Sequence, residues 1–138
     1  MSKKIGVFAL LFLGERIFLV KKNYGNKKWF LPGGSPLEGE SLTVALRREI
    51  KEETGQLTPA RALKHLGTFY LPRDQSVAFL FSCKLKQKRK ITFNKKELKA
   101  VELFFPLVTK GLVSRETSIK IAFGMRRLKK TTDSLFEY

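Results

Sequence analysis

Residues 29–57 read Trp29-Phe30-Leu31-Pro32-Gly33-Gly34-Ser35-Pro36-Leu37-Glu38-Gly39-Glu40-Ser41-Leu42-Thr43-Val44-Ala45-Leu46-Arg47-Arg48-Glu49-Ile50-Lys51-Glu52-Glu53-Thr54-Gly55-Gln56-Leu57. The first part is rich in breakers: Pro32, Gly33, Gly34, Pro36 and Gly39 mark a loop over about residues 23–40. From Ser41 the breakers stop, and the spacing predicts a helix from about Ser41 to Thr54. Ser41 suits the N-cap and Gly55 the C-terminal stop. On such a helix Leu42, Ala45 and Leu46 share a stripe that continues into Glu49 and Glu53, with Glu52 beside them. An inward-looking apolar face thus becomes carboxylates toward its C-terminal end. That arrangement is costly, because like charges one turn apart repel and anions near a helix C-terminus oppose its dipole. A hard divalent cation, Mg²⁺ or Mn²⁺, reverses both penalties. The competing reading is a solvated acidic face with i,i+4 partners, but Arg47 and Lys51 fall on the other side of the helix.

Outward from this segment, the pattern is a mixture of strands and one further helix. Ile5–Phe12 and Arg16–Lys21 are apolar runs joined as a hairpin through Leu13-Gly14-Glu15, the first of them alternating like a strand. Ala62–Tyr70 and Val77–Leu85 read as strands joined by a turn through Pro72-Arg73-Asp74-Gln75. Ile91-Thr92-Phe93 reads as a short strand, and Val101–Phe105 as another ended by Pro106. The segment from about Arg115 to Lys129 is helical in period and places Ile119, Ala122, Phe123 and Met125 or Arg126 near one face. Strands before, between and after two helices imply an α/β domain with a mixed sheet and a helix on each face.

With 138 residues, 43% of them apolar and 29% charged, the chain is a single globular domain. No apolar run is long enough for a bilayer, and the basic start is not followed by a small-residue cleavage site, so a cytoplasmic location is expected. The single cysteine, Cys83, lies in an apolar run and reads as a buried thiol in a reducing compartment. Lys and Arg total 28 against 12 Asp and Glu, a net charge of +16 that attracts nucleotides or nucleic acid. The acidic minority crowding around residues 38–53 therefore stands out.

The same residues resemble the Nudix box. Its pattern is Gly, five residues, Glu, seven residues, Arg-Glu, an aliphatic, any residue, Glu-Glu, any residue, Gly and an aliphatic. It is met by Gly34, Glu40, Arg48, Glu49, Ile50, Glu52, Glu53 and Gly55. Gln56 stands where the last aliphatic belongs, and Leu57, next in the chain, is expected to supply that packing. A chance match of the seven fixed positions in one chain is below about one in a million, so the resemblance is specific. Trp29-Phe30-Leu31-Pro32-Gly33-Gly34 also looks like the family's approach to its loop-helix-loop.

The resemblance implies a Nudix-like α/β/α sandwich and Mg²⁺- or Mn²⁺-dependent hydrolysis of a phosphate anhydride in a nucleoside diphosphate-linked or triphosphate substrate. By position, Glu49, Glu52 and Glu53 match the metal-binding carboxylates, joined by the carbonyl of Gly33. Arg48 matches the arginine that orients a catalytic glutamate, and Glu40 the residue that ties the loop to the helix. Glu49 and Glu52 are the candidates for the base that takes a proton from the attacking water. Glu97 and Glu102, the next candidates for that base, lie where many family members supply a further acidic ligand. Pro72 and Tyr70 stand near positions that accompany ADP-ribose and dinucleoside polyphosphate substrates in some members, although each also reads as turn or strand material. Trp29, Phe30 or Tyr24 could stack on a base, and Trp29 could equally pack in the core. Two other readings remain open: a hydrolase or binding module directed at RNA 5′ ends, given the charge, and a non-catalytic nucleotide sensor.

Overall fold

The computed structural model describes residues 4–23 and 27–135, with side chains followed to residue 129. Strands β1 (Lys4–Leu13), β2 (Arg16–Lys22), β3 (Trp29–Phe30) and β4 (Gly33–Gly34) precede helix α1 (Leu42–Thr54). Strands β5 (Lys64–Leu71), β6 (Ser76–Leu85) and β7 (Leu98–Phe104) then lead to helix α2 (Arg115–Leu135). They form one mixed sheet with path β3-β2-β1-β6-β5, to which β4 adds on β1 and β7 on β2. The long central pair, β1 with β6, is parallel over its full length, and the other pairs are antiparallel.

A helix covers each face of the sheet. Val7, Ala9, Leu11, Phe18 and Val20 pack with Ala45, Leu46 and Ile50 of α1. Leu10, Phe12, Ile17 and Leu19 point the other way and pack with Ile121 and its neighbours on α2. β1 is thus buried on both faces and does not alternate between core and solvent. This explains its nearly continuous apolar run, since a strand with no wet face has no polar positions. Cys83 is buried beneath α1, where desolvation pushes its thiol up, as suits an inert packing group.

Tertiary contacts overrode local pattern in four places. The breaker-rich stretch contains two short strands. β4 pairs through Val7↔Gly34 and Phe8↔Gly33, so the entry to α1 is sewn to the middle of the sheet. Ile91-Thr92-Phe93 is not a strand. It lies across the end of α1, with the Thr92 N–H donating to Thr54 O at 3.3 Å and Ile91 and Phe93 packing into the α1-side core. The buried face of α2 is rotated from the one expected: Thr117, Lys120, Ile121 and Gly124 are buried, while Ile119 is half exposed and Ala122 faces solvent. Gly124 fits that rotation, because its missing Cβ leaves room for the Leu10 side chain.

The fourth concerns the one departure from the box. Leu57 does not fill the aliphatic position; it is 46% exposed, and Gln56 itself is buried. Its amide is fully used. Nε2 donates to Thr54 O at 3.1 Å and Arg89 O at 2.9 Å, and Oε1 accepts from Arg89 N at 2.8 Å. A polar residue is stable in this buried place because it borrows partners from the β6–β7 loop. Gln56→Leu, which restores the common residue, is expected to cost about 1–3 kcal/mol by leaving the Arg89 backbone unpaired. Urea unfolding checks this, and an unchanged or raised midpoint would show that the clamp contributes nothing.

Candidate active site

Helix α1 begins where the Ser41 hydroxyl accepts the Val44 N–H at 3.2 Å. It ends where Gly55, in the left-handed conformation at φ 77°, donates its N–H to Lys51 O. A side chain at Gly55 would also strike the Lys90–Thr92 segment, so the glycine serves both turn and packing. These stops fix the helix register. They set Ala45, Leu46, Ile50 and Glu53 inward, Glu49 half-buried at the rim and Glu52 outward.

Glu53 is the unusual member, a carboxylate only 8% exposed. Its Oε1 accepts the Gly33 N–H at 2.7 Å. Burial pushes its carboxyl up to about 8; Glu49 and Glu97 push the same way, while the Gly33 N–H and Lys22 pull it down. Burial also raises the Glu49 carboxyl, with Arg48 opposing. Gly34 is required beside it, because a Cβ there would stand 2.7 Å from Glu49 Oε1.

Arg48 is the hub. Nε donates to Glu40 Oε2 at 2.8 Å and Nη2 to Glu40 Oε1 at 2.9 Å, a two-pronged grip. Nη1 donates to Glu49 Oε1 at 2.9 Å and more weakly to Glu52 Oε2 at 3.4 Å, and Nη2 reaches Ser35 O at 3.2 Å. Glu40 also accepts the Leu37 N–H at 2.8 Å. Arg48 and that N–H hold the Glu40 carboxyl far down, at about 2, so Glu40 stays an anion and ties the entry loop to the helix. Its charge raises the Arg48 guanidinium further above its ordinary range.

The other candidates divide. Glu97 lies close enough to raise both Glu49 and Glu53. Glu102 pairs with Leu19, which faces α2, so it stands on the opposite side of the sheet from the carboxylate helix. Trp29 packs edge-on against Phe104 at 4.9 Å between ring centres, within the α2-side core, and Lys21 lies over its ring. Tyr70 is exposed at the end of β5, and Pro72 begins the exposed turn after it. Tyr24 lies outside the described residues. Two contributors had no local signal: Ser35, which acts through its backbone carbonyl, and Lys22, brought near Glu53 by β2.

As oxygen donors with too few positive neighbours, Glu49, Glu52 and Glu53 fit a hard divalent cation. Among the described residues, however, no three His, Cys, Asp or Glu side chains already converge as a ligand cage. Arg48 engages the oxygens of Glu49 and Glu52 instead.

Residues 2–111 match the NUDIX domain family. The chain belongs to the Nudix family. With that membership, it is a hydrolase of phosphorus-containing acid anhydrides. Solved structures share its fold at low identity. A MutT NUDIX hydrolase from Burkholderia pseudomallei is 20% identical with TM-score 0.75, covering 88% of this chain and 98% of that one. The NUDIX domain of Shewanella oneidensis NrtR, solved with ADP ribose, is 20% identical with TM-score 0.78, covering 93% and 90%. A bifunctional NMN adenylyltransferase/ADP ribose pyrophosphatase from Francisella tularensis, solved with AMP and a manganese ion, is 18% identical with TM-score 0.73. This Nudix domain covers 88% of itself but 40% of that chain in the match. No curated protein sequence matches it. No helix among the described residues is long and apolar enough to cross a membrane.

Proposed function

We propose that this Nudix domain is a pyrophosphohydrolase that cleaves a phosphate anhydride in a nucleotide or nucleotide-derived small molecule, with Mg²⁺ or Mn²⁺ held by Glu49, Glu52 and Glu53. The observation that carries the reading is Glu53, a buried carboxylate raised by desolvation, beside a half-buried Glu49 and with Glu52 on the same turn. A helical turn that carries three carboxylates, one of them buried at such cost, is matched to a cation. When bound, the cation supplies positive charge against the anhydride oxygens and makes an attacking water more acidic.

The chain's own residues do the rest. We assign the base to Glu49, a half-buried carboxylate at the rim of the cluster that is placed to accept a proton from water. Arg48 aims it through the Nη1–Oε1 bond and is itself immobilised by Glu40. Gly33 and Gly34 bring bare backbone up to the carboxylates, closer than any residue with a side chain would allow.

The basic surface favours a second, RNA-directed reading. Two adjoining cavities of about 460 and 480 Å³, the first beside α1, share Leu57 and Pro59, and their lining includes Arg47, Lys51, Arg61, Lys84, Lys86 and Arg89 but no carboxylate. A polyanionic chain suits such a groove.

One experiment tests both. Phosphate and pyrophosphate release is measured with Mg²⁺ or Mn²⁺ on nucleoside triphosphates, ADP-ribose, nucleotide sugars, diadenosine polyphosphates and 5′-triphosphorylated RNA, with wild type beside Glu52→Gln. Turnover of any member that disappears in the variant and with chelator is the expected result. Turnover confined to the RNA would establish the second reading. A folded, metal-loaded protein that turns over nothing would overturn the hydrolase and leave an RNA-binding module or a nucleotide sensor.

A further inference from the structure

A third cleft, on the α2 side, contains a buried ammonium with no carboxylate in contact. Lys120 is only 8% exposed, yet among the described residues no carboxylate comes within ion-pair distance of it. Its Nζ stands 3.9 Å from the centre of the Phe8 ring, and both residues line a cavity of about 300 Å³. Burial depresses the Lys120 ammonium, and Glu116, one helical turn earlier, holds it up without reaching contact. Lys4, Ser35 and Ser76 contribute to the same wall, as do two acidic residues, Asp74 and Glu116, both of them exposed.

The position of this cleft matters as much as its charge. Ser35 follows Gly34 directly, and its carbonyl is the one gripped by Arg48. Phe8, under the Lys120 ammonium, is the register partner of Gly33, whose N–H is held by Glu53. One residue of backbone therefore separates the cleft from the carboxylate face. A ligand with an anhydride against Gly33–Gly34 can extend past Ser35 into it.

We propose that Lys120 forms an anion subsite, binding a phosphate or carboxylate of the substrate that lies beyond the scissile anhydride. The desolvation of the ammonium has already been met in folding, so an arriving anion has only its own desolvation to offset against the new ion pair. Phe8 keeps the ammonium in place through its ring face until then. The Ser35 and Ser76 hydroxyls can donate to remaining anion oxygens. The assignment of this anion to a substrate rests on the hydrolase reading above; the anion site itself does not.

The test begins without metal or turnover. Inorganic phosphate is titrated into the metal-free protein while NMR follows the Lys120 side chain and the Ser35 and Ser76 amides. Expected is a saturable shift at all three that survives in Glu53→Gln and weakens at least about tenfold in Lys120→Met. Lys120→Gln, which keeps a polar end, is the second variant if Lys120→Met unfolds. Phosphate that shifts only other surface lysines, or binds Lys120→Met equally, would overturn the site. A second arm identifies the source of the anion: Lys120→Met should raise KM about tenfold for a nucleoside triphosphate, with kcat little changed. An unchanged KM, with phosphate still bound at Lys120, would make it a site for free phosphate and overturn the substrate assignment. Phosphate binding at Lys120 in a protein that hydrolyses nothing would instead count against the hydrolase reading alone.

Discussion

Glu53→Gln is expected to lower metal-dependent hydrolysis by at least about 10²-fold while leaving the fold intact. The amide keeps an oxygen where Oε1 accepts the Gly33 N–H at 2.7 Å, so the loop stays docked, but the charge that would hold the cation is gone. The same substitution has an opposite effect on the metal-free protein. The Glu53 carboxyl titrates near 4.5 in the unfolded chain and near 8 in the fold. Between those values the folded chain holds a proton that the unfolded chain has released. Stability from this group is therefore full below pH 4.5 and falls as pH rises toward 8, by at most roughly 5 kcal/mol. Glu49, also raised by burial, adds to the same slope. Glu53→Gln stays neutral throughout and should flatten it. Urea unfolding with chelator at pH 5 and pH 8.5 reads this directly: the wild type should lose stability between the two and the variant less. Mg²⁺ should restore the wild type selectively at the higher pH. A wild type that loses no more stability between the two values than the variant, which retains Glu49 and every other group, would show that Glu53 is not held as a desolvated acid. Full activity in the variant would remove it from the site.

Gly33→Ala is expected to cost about 3 kcal/mol or more and to remove activity with it. Gly33 sits at φ 153°, which side chains rarely adopt, and an added Cβ would run into the Val7 carbonyl oxygen and stand 2.9 Å from Phe8 Cα. Neither atom can yield cheaply. Val7 and Phe8 belong to the central strand, paired to β6 on one side and to β4 on the other. Relief therefore means peeling β4 from β1, which also withdraws the Gly33 N–H from Glu53 and shifts the wall that holds Phe8 beneath Lys120. A Tm lower by roughly 10 °C, together with lost turnover below that Tm, is the expected pair of results. By contrast, Gly39→Ala meets nothing within 4 Å and is strained only by its φ of 77°, so its cost should be smaller, about 1 kcal/mol. Equal costs for the two glycines would show that close approach to β1 is not what selects Gly33.

Helix α1 was legible almost to the residue, from Ser41 as cap to Gly55 as stop, and the stripe running from Ala45 and Leu46 into Glu53 was readable from period alone. Such features depend on neighbours within one or two turns, so sequence carries them. The face of α2 was not legible in this way. Its apolar residues are scattered among lysines, and the rotation brings Gly124 against Leu10 on a distant strand. Gln56 was visible as a departure from the pattern, but its partner, the Arg89 backbone, is 33 residues away.

What the sequence determined by itself, then, was the family, the mixed sheet between two helices and the presence of three glutamates along one helical turn. The spacing of Gly34, Glu40, Arg48 and the glutamates is one-dimensional and survives any rearrangement of the remaining chain. Only the tertiary structure decided what each of them experiences. It buried Glu53 beneath Gly33, left Glu52 open, turned Arg48 onto Glu40, set Glu97 near the cluster and Glu102 on the far face, and enclosed Lys120 against Phe8. The physical reason is that charge and desolvation act through space. A carboxylate's chemistry depends on which distant strand lies over it, and no local period records that distance.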